Sequence, residues 1–156
     1  MPSISRCINT INRASGMFRN ANINNEELRP YLQSYILVIT GNPGISQEQI
    51  ARRLCVDKSS VARALAVLQK SDYIKREKDE KDRRIMLVYP TEKAISSREE
   101  IKAAYRAWNE YINEGFSAEE AAAFSDLLEK AAKRAAEYAM KKLDDEDLHG
   151  EGGDEL

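Results

Sequence analysis

The residues whose types and spacing are most informative about chemistry lie in the segment Lys58–Lys70. Apolar residues recur there at Val61, Leu65 and Leu68, which is the spacing of one face of an α-helix. The opposite face carries small, polar or basic side chains, namely Ser59, Ser60, Ala62, Arg63 and Ala66. A guanidinium can donate two hydrogen bonds to guanine O6 and N7, and hydroxyls at a helix N-terminus suit phosphate oxygens. The pattern therefore predicts a helix that enters the major groove of DNA, the alternative being an ordinary amphipathic helix with a polar outer face.

A second group of cations follows in the charged segment 78–84, whose sequence is KDEKDRR. The flanking runs Tyr73–Glu77 and Ile85–Tyr89 favour extended structure, which predicts a β-hairpin with a polar tip. An arginine that projects from such a tip can enter the minor groove, where the potential is strongly negative. The interleaved Asp79 and Asp82 are predicted to pair with a neighbouring arginine and hold the shape of the tip. A solvated charged turn is the alternative.

Helical periodicity and capping residues predict the elements that precede this region. Residues 4–19 carry one apolar stripe, the polar loop 20–25 follows, and a second helix is predicted from near Glu26 to the breaker cluster at Gly41. Ser46 is the predicted cap of a short helix with Glu48 and Gln49 in its first turn, and Asp57 is the predicted cap of the helix Lys58–Lys70.

Two longer helices are predicted after the hairpin. Thr91 is the predicted cap of the first, which continues until Gly115, and Ser117 begins a capping box at the start of the second. Residues 144–156 are acidic, contain glycine and are predicted to be disordered.

Composition limits the function classes. The chain has 156 residues and a formal charge of −2, yet residues 51–84 hold eleven Lys or Arg against six Asp or Glu, and residues 109–156 hold five against fourteen.

The two cysteines and the single His149 do not have the spacing of a zinc or iron site, so no metal and no cofactor are predicted. With no glycine-rich phosphate loop and no catalytic set, an enzyme is not expected. The absence of a long apolar run or signal peptide favours a cytoplasmic protein without a membrane partner.

The stretch ISQEQIARRLCVDKSSVARALAVLQKSDYIKREKDEKDRRIMLVYPTEKA resembles the helix-turn-helix and wing of the MarR family of transcriptional regulators. The D-K-S-S-V start of the second short helix, the D-x-x-D-R-R tip and the T-E-K-A after the hairpin carry the resemblance. The order of helices over residues 4–143 is also that of the family. Cys55 and Ala94 stand where the family often has glycine, and residues 69–73 depart from its common E-K-G-Y pattern.

The resemblance implies a mostly α protein with a small β-hairpin, in which a winged helix-turn-helix is flanked by N- and C-terminal dimerisation helices. It divides the chain into an N-terminal dimerisation helix (1–25), the DNA-binding domain (26–91), C-terminal helices that complete the dimerisation region (92–143) and the acidic tail (144–156). It implies that Ser59, Ser60 and Arg63 meet the major groove and that Arg83 is the wing-tip residue for the minor groove, with Asp82 and Arg84 bracing the wing. The full set of residues expected to contact DNA is Lys58, Ser59, Ser60, Arg63, Lys81, Arg83 and Arg84. Asp79 and Asp82 are the residues expected to brace the wing.

The resemblance also implies partners. A homodimer on a palindromic double-stranded operator is expected, with repression as the usual mode. The apolar residues expected to form the dimer interface are Ile4, Ile8, Ile11, Phe124, Leu128, Ala131, Ala135 and Tyr138. A small aromatic effector is expected to release the DNA from a pocket that could include Tyr31, Tyr35, Tyr105 and Trp108, although aromatic residues at helical spacing are more often core.

Two other functions remain open from the sequence. A winged helix can bind a protein instead of DNA. A repressor of this kind can also sense oxidants through a cysteine, for which Cys7 in the first helix and Cys55 in the turn are the two candidates.

Overall fold

The computed structural model describes residues 3–150, with side chains described up to residue 145. Within that range the chain forms six helices and three short strands. In chain order they are α1 (Ile4–Asn22), α2 (Pro30–Gly41), β1 (Ile45–Ser46), α3 (Gln47–Leu54), α4 (Lys58–Lys70), β2 (Ile74–Lys78), β3 (Met86–Pro90), α5 (Glu92–Ile112) and α6 (Ala118–Gly150). The predicted fold class, mostly α with a small hairpin, is confirmed.

Local capping defines the two short helices α3 and α4. The Ser46 hydroxyl accepts a hydrogen bond from the Gln49 N–H (3.2 Å), and the Ser46 N–H donates to Gln49 Oε1 (3.0 Å), which completes the predicted capping box. Asp57 caps α4 by accepting from the Ser60 N–H (2.8 Å). Each such cap stabilises a helix by about 1 kcal/mol. Cys55 connects α3 to α4 in the left-handed conformation (φ 53°), so the chain turns sharply between them.

The sheet has one more strand than the sequence predicts. The strand order is β1-β3-β2, and both pairings are antiparallel. The extra strand, β1, is two residues long and places Ile45 opposite Val88. Just before it, Gly44 has φ +83° and lies so close to the Tyr89 ring that a Cβ would be 3.3 Å from it. Two residues are too few to show an alternating pattern, so the pairing becomes visible only in three dimensions.

The core lies where α2, α3, α4, the sheet and α5 meet. The predicted inward face of α4 is confirmed, because Val61, Leu65 and Leu68 are each at most 1% exposed. They belong to a buried cluster that also contains Ile36, Ile39, Ile50, Val88 and Ile101. Burial of this stripe turns the polar side of α4 to solvent, since the two faces of a helix are fixed relative to each other.

Several predicted boundaries are wrong. Helix α1 continues to Asn22 through part of the predicted loop 20–25, and α5 ends at Ile112, before the predicted end at Gly115. Helix α2 begins at Pro30 and not near Glu26, because the proline ring keeps Arg29 out of the helical region (φ −53°, ψ 150°). Helix α6 continues to Gly150, so residues 144–150 are helical where a disordered tail was expected. Residues 151–156 of that predicted tail lie outside the described residues.

Helix α6 packs little against the rest of its own chain. None of its residues from 118 to 145 is buried, and Leu127, Leu128 and Tyr138 are 64%, 43% and 67% exposed. Helix α1, in contrast, packs on α2 and α5, but it also exposes Ile4 (78%) and Met17 (75%). The two terminal helices therefore present apolar side chains that this chain alone leaves in water.

Candidate nucleic-acid interface

The outer face of α4 is the first part of the candidate interface. Ser59, Ala62, Arg63 and Ala66 are exposed, as is Lys58 at the first helical position. The small side chains keep the backbone of α4 open to close approach by a partner. Arg63 extends from the middle of this shallow surface, so its guanidinium is the main hydrogen-bond donor presented there.

A chain of hydrogen bonds runs from the cap of α4 to that guanidinium. The Ser60 hydroxyl donates to Asp57 Oδ2 (2.6 Å) and accepts from Arg63 Nη2 (3.0 Å). The bonds from the Ser60 hydroxyl and N–H hold the pKa of the Asp57 carboxyl below its usual value, so Asp57 is a carboxylate at neutral pH. Sequence reasoning assigned Ser60 to DNA and missed this link, although the i, i+3 spacing of Asp57, Ser60 and Arg63 makes it geometrically possible.

The wing, formed by β2, β3 and residues 79–85 between them, is the second part. Asp79 Oδ1 accepts from the Lys81 N–H (3.0 Å), and Asp82 Oδ1 accepts from the Arg84 N–H (3.0 Å). The Arg84 guanidinium also makes a two-point contact with the Asp82 carboxylate, with both N–O distances at 3.0 Å. The tip is thus shaped by its two aspartates: Asp82 pairs with an arginine, whereas the bond of Asp79 is to the backbone. Arg84 is held in this brace, although its side chain is 90% exposed.

Arg83 differs from its neighbour. It is exposed, and no hydrogen bond or ion pair joins its guanidinium to another side chain within the described part of the chain. Lys81 is also exposed on the same tip. The wing therefore offers Arg83 to a partner without first having to break an internal ion pair.

A groove connects α4 to the wing. It has a volume of about 770 Å³ and is lined on one side by α3 and α4 and on the other by the wing and β3. Its basic lining residues are Arg52, Lys58 and Arg84. At the far end of α4, Arg76 of β2 donates to Gln69 Oε1 (2.6 Å), which fastens the helix to the sheet. The groove is also lined by Glu48 and Asp79, so cations and carboxylates alternate along the surface that joins the helix to the wing.

The structure separates the four aromatic residues predicted to share a pocket. Tyr31 and Tyr35 line a crevice of about 920 Å³ between α2 and α4, the α2–α4 crevice, which also includes Ser60, Arg63 and Val67. Tyr31 and Tyr105 line another of about 1190 Å³ between α1, α2 and α5. Trp108 lines neither crevice, because it packs against Phe18 and Tyr111 with ring centroids 5.5 and 5.9 Å away.

The residues predicted for the dimer interface lie on the two terminal helices. Ile4 and Ile8 are exposed on α1, and Ile11 is half-buried. On α6, Phe124 packs edge-on against Phe116 (5.7 Å), while Leu128, Ala131, Ala135 and Tyr138 are exposed. A single chain does not bring these two sets together into one core.

Cys7 on α1 and Cys55 in the helix-turn-helix turn are both free and exposed. Over the described residues, no group of three or more His, Cys, Asp or Glu is arranged to hold a metal ion. No helix between residues 3 and 150 is long and apolar enough to cross a membrane.

The tight turn between α3 and α4, the exposed face of α4 and the three-stranded sheet with its projecting hairpin define a winged helix-turn-helix protein. A MarR family model matches residues 33–85. The uncharacterised HTH-type transcriptional regulator YybA of Bacillus subtilis (strain 168) is 31% identical over 144 residues, which cover 90% of this chain and 96% of that protein. The chain therefore belongs to the MarR family and is a transcriptional regulator with the DNA-binding fold of that family.

Solved structures agree with this assignment. A MarR protein from Peptoclostridium difficile superposes with a TM-score of 0.85 at 27% identity, over 90% of this chain and 93% of that one. A MarR family transcriptional regulator from Listeria monocytogenes, solved in complex with a 26mer DNA, superposes with a TM-score of 0.80 at 25% identity, over 100% and 99%.

The brace in the wing predicts a pH dependence. The side-chain bonds from Arg84 hold the pKa of Asp82 below its ordinary value. Because the carboxylate is the form that accepts these bonds, the braced tip is present above that pKa and is lost as pH falls through it. In amide NMR spectra, the Arg84 N–H of the folded protein should therefore shift with a midpoint below the usual aspartate value of about 3.9. The Asp82→Asn variant should lack this transition. A midpoint at or above the usual value, or the same transition in the variant, would contradict the brace.

Proposed function

We propose that the protein is a sequence-specific regulator that binds a two-fold symmetric double-stranded operator as a homodimer in the cytoplasm and represses transcription until a small aromatic molecule releases it. The observation that carries the proposal is the pairing of an exposed, shallow α4 face around Arg63 with an unpaired Arg83 at the wing tip. The complex of the Listeria monocytogenes relative with DNA supports it.

The proposed contacts follow from the chemistry of the two arginines. Arg63 donates to guanine O6 and N7 in the major groove, where the two acceptors match a guanidinium. Ser59 and Lys58, at the N-terminus of α4, contact phosphates, and the groove between α4 and the wing receives the DNA backbone. Arg83 enters the adjacent minor groove, where contacts depend more on groove width and charge than on base identity.

Substitution of the two arginines should separate these roles. Arg63→Ala should lower discrimination at one base pair by about 1–3 kcal/mol. Arg83→Ala should weaken binding more evenly across sites and lower the slope of log K against log salt by about one. Fluorescence anisotropy with an operator and its single-base variants measures both effects.

Arg106→Ala, at an exposed position of α5 far along the chain from both elements, is the control and should bind like wild type. If Arg63→Ala and Arg83→Ala also bound like wild type, the contact assignment would be wrong. Binding without steep salt dependence would instead favour a winged helix that recognises a protein.

The homodimer is proposed from the apolar surface of the terminal helices. Leu128 and Tyr138 of α6 and Ile4 and Ile8 of α1 remain exposed in one chain, and large apolar side chains left in water on two helices are surface that a partner can cover. A second copy is the occupant that the fold favours, because a two-fold interface would place two α4 helices side by side for a symmetric operator.

A charge placed in this surface should dissociate the dimer. Leu128→Asp should raise the dimer dissociation constant at least about 100-fold, because an unpaired charge at an interface is unfavourable by about 3 kcal/mol. Sedimentation velocity over a concentration series measures the change. Ala122→Asp adds the same charge to the opposite face of α6 and should leave the dimer intact. A wild-type monomer, or equal behaviour of the two variants, would contradict the proposed interface.

The proposed effector site is the α2–α4 crevice. It combines apolar walls from Leu54, Val56 and Val67 with the rings of Tyr31 and Tyr35. Arg63 lines the same crevice, so a phenolate or carboxylate there competes with guanine for one guanidinium. A ligand that binds Arg63 in the crevice therefore displaces guanine from the same guanidinium, which releases the DNA.

Tyr31 offers a test of this site. In a panel of monocyclic phenols and benzoates, at least one compound should release the wild-type protein from its operator. Tyr31→Ala should need a concentration about tenfold higher, because a ring contact of about 1 kcal/mol and its buried area are lost. Tyr111→Ala is the matched control, since Tyr111 is 56% exposed against 54% for Tyr31 and lines neither crevice. No release by any compound, or equal release of Tyr31→Ala and wild type, would rule out the proposed site.

A further inference from the structure

Lys93 lies where three parts of the fold meet. It is in the first turn of α5, and its ammonium contacts the segment before α2, the C-terminal cap of α4 and the residue that precedes β2. Its Nζ lies 2.6 Å from Glu27 Oε2 and donates to the carbonyl oxygen of Ser71 (2.9 Å), the residue that caps the C-terminus of α4. It also lies 4.4 Å from the centre of the Tyr73 ring.

Tyr73 makes the junction rigid. The ring is fully buried, and its hydroxyl accepts from Asn25 Nδ2 (2.7 Å) and donates to Glu27 Oε2 (3.4 Å). The Lys93 ammonium above the ring and the Glu27 carboxylate at its hydroxyl end therefore both contact the buried Tyr73 side chain. A cation over an aromatic face gains more when the ring is desolvated, as it is here.

A second contact ties the same two helices. The Thr91 hydroxyl, at the cap of α5, donates to the Asp72 carbonyl oxygen (2.7 Å), and the Thr91 N–H donates to the Tyr73 carbonyl oxygen (2.9 Å). Asp72 is in the left-handed conformation (φ 59°), which turns the chain sharply after α4. The end of α4, which is the recognition helix of the proposed function, and the start of α5 are thus fastened directly to each other.

The positive charge of Lys93 is paired with the negative charge of Glu27. The hydrogen bond from Lys93 holds the pKa of Glu27 below its usual value, and Glu27 raises the pKa of Lys93. The pair is half-exposed, at 41% for Lys93 and 53% for Glu27, so its charge contribution is screened by water. The junction contributes mainly by holding three segments in one arrangement, because the Lys93 ammonium contacts a carboxylate, a carbonyl oxygen and a ring at the same time.

We propose that Lys93 is a positioning residue for DNA binding, which clamps the C-terminal end of α4 to α5 through Glu27, Ser71 and Tyr73. This inference rests on the proposed function of a dimer on a two-fold symmetric operator. Helix α5 leads from the DNA-binding part of the chain to α6, so the angle at its first turn sets where α4 stands relative to the dimer helices. In a dimer, that angle sets the separation of the two recognition helices.

The consequence is measurable as a preference for the spacing between half-sites. A series of two-fold symmetric DNA duplexes, in which the half-sites are moved apart one base pair at a time, is titrated with the full-length protein. Wild type should show one preferred spacing. Lys93→Met should reduce the ratio of affinities between the preferred and neighbouring spacings about tenfold, because the directed hydrogen bonds at the junction are lost. Its binding to a single half-site should change little.

Lys93→Arg should retain the spacing preference, because a guanidinium can donate to both oxygens and stack on the Tyr73 ring. Lys102→Met is the matched control, since Lys102 lies on the same helix and, among the described residues, forms its ion pair with Glu99 of that helix (3.4 Å). If Lys93→Met does not fold, as judged by circular dichroism, Glu27→Gln removes the charge at similar shape and should also broaden the spacing preference.

The outcomes separate this inference from the function on which it rests. A wild-type protein that binds none of the duplexes overturns the proposed function and the clamp together. A wild type with one sharp optimum, matched by an equally sharp optimum in folded Lys93→Met and Glu27→Gln, overturns the clamp alone. A uniform loss of affinity at every spacing and at the single half-site would mean that Lys93 contacts DNA or supports stability, and would also overturn it.

Discussion

The burial of one face of α4 is the constraint on which the candidate interface depends. Val61, Leu65 and Leu68 are removed from water against α2, α3 and the sheet, and each contributes about 1.5–3 kcal/mol of burial. Because those positions must point inward, Ser59, Ala62 and Arg63 must point outward. Helix α4 is then fixed at its start by the Asp57 cap and at its end by the contacts of Gln69 and Ser71. A rigid helix with a shallow outer face is what sequence-specific reading of a groove requires.

The acidic composition of the whole chain conceals how its charge is arranged. The aspartates of the wing accept bonds from the backbone and from Arg84, so they shape the tip while Arg83 remains available. The acidic residues of the wing tip are thus part of the support for a cation. The excess of carboxylates lies instead in the C-terminal third of the chain, where nine of the fourteen acidic residues belong to α6.

Features set by neighbours along the chain were predictable from sequence, whereas features set by packing were not. The capping box of Ser46 and Gln49 and the cap at Asp57 each involve residues three apart, and they begin helices at the predicted positions. The β1 strand depends on Val88, which is remote in sequence from Ile45. The separation of Tyr35 and Tyr105 into two crevices, and of Trp108 into an aromatic cluster, depends on how α1, α2 and α5 pack. For the same reason the sequence did not indicate the junction at Lys93, whose partners come from three segments.

The chain is proposed to recognise a two-fold symmetric DNA sequence as a dimer. The most direct test of this proposal is selection of random DNA fragments by the purified full-length protein at about 150 mM salt, an ionic strength at which non-specific phosphate contacts are weak. The proposed function predicts enrichment of a two-fold symmetric site whose half-sites are centred about one helical turn, or about 10 base pairs, apart. Failure to enrich any sequence, with only weak binding that disappears as salt is raised, would contradict it.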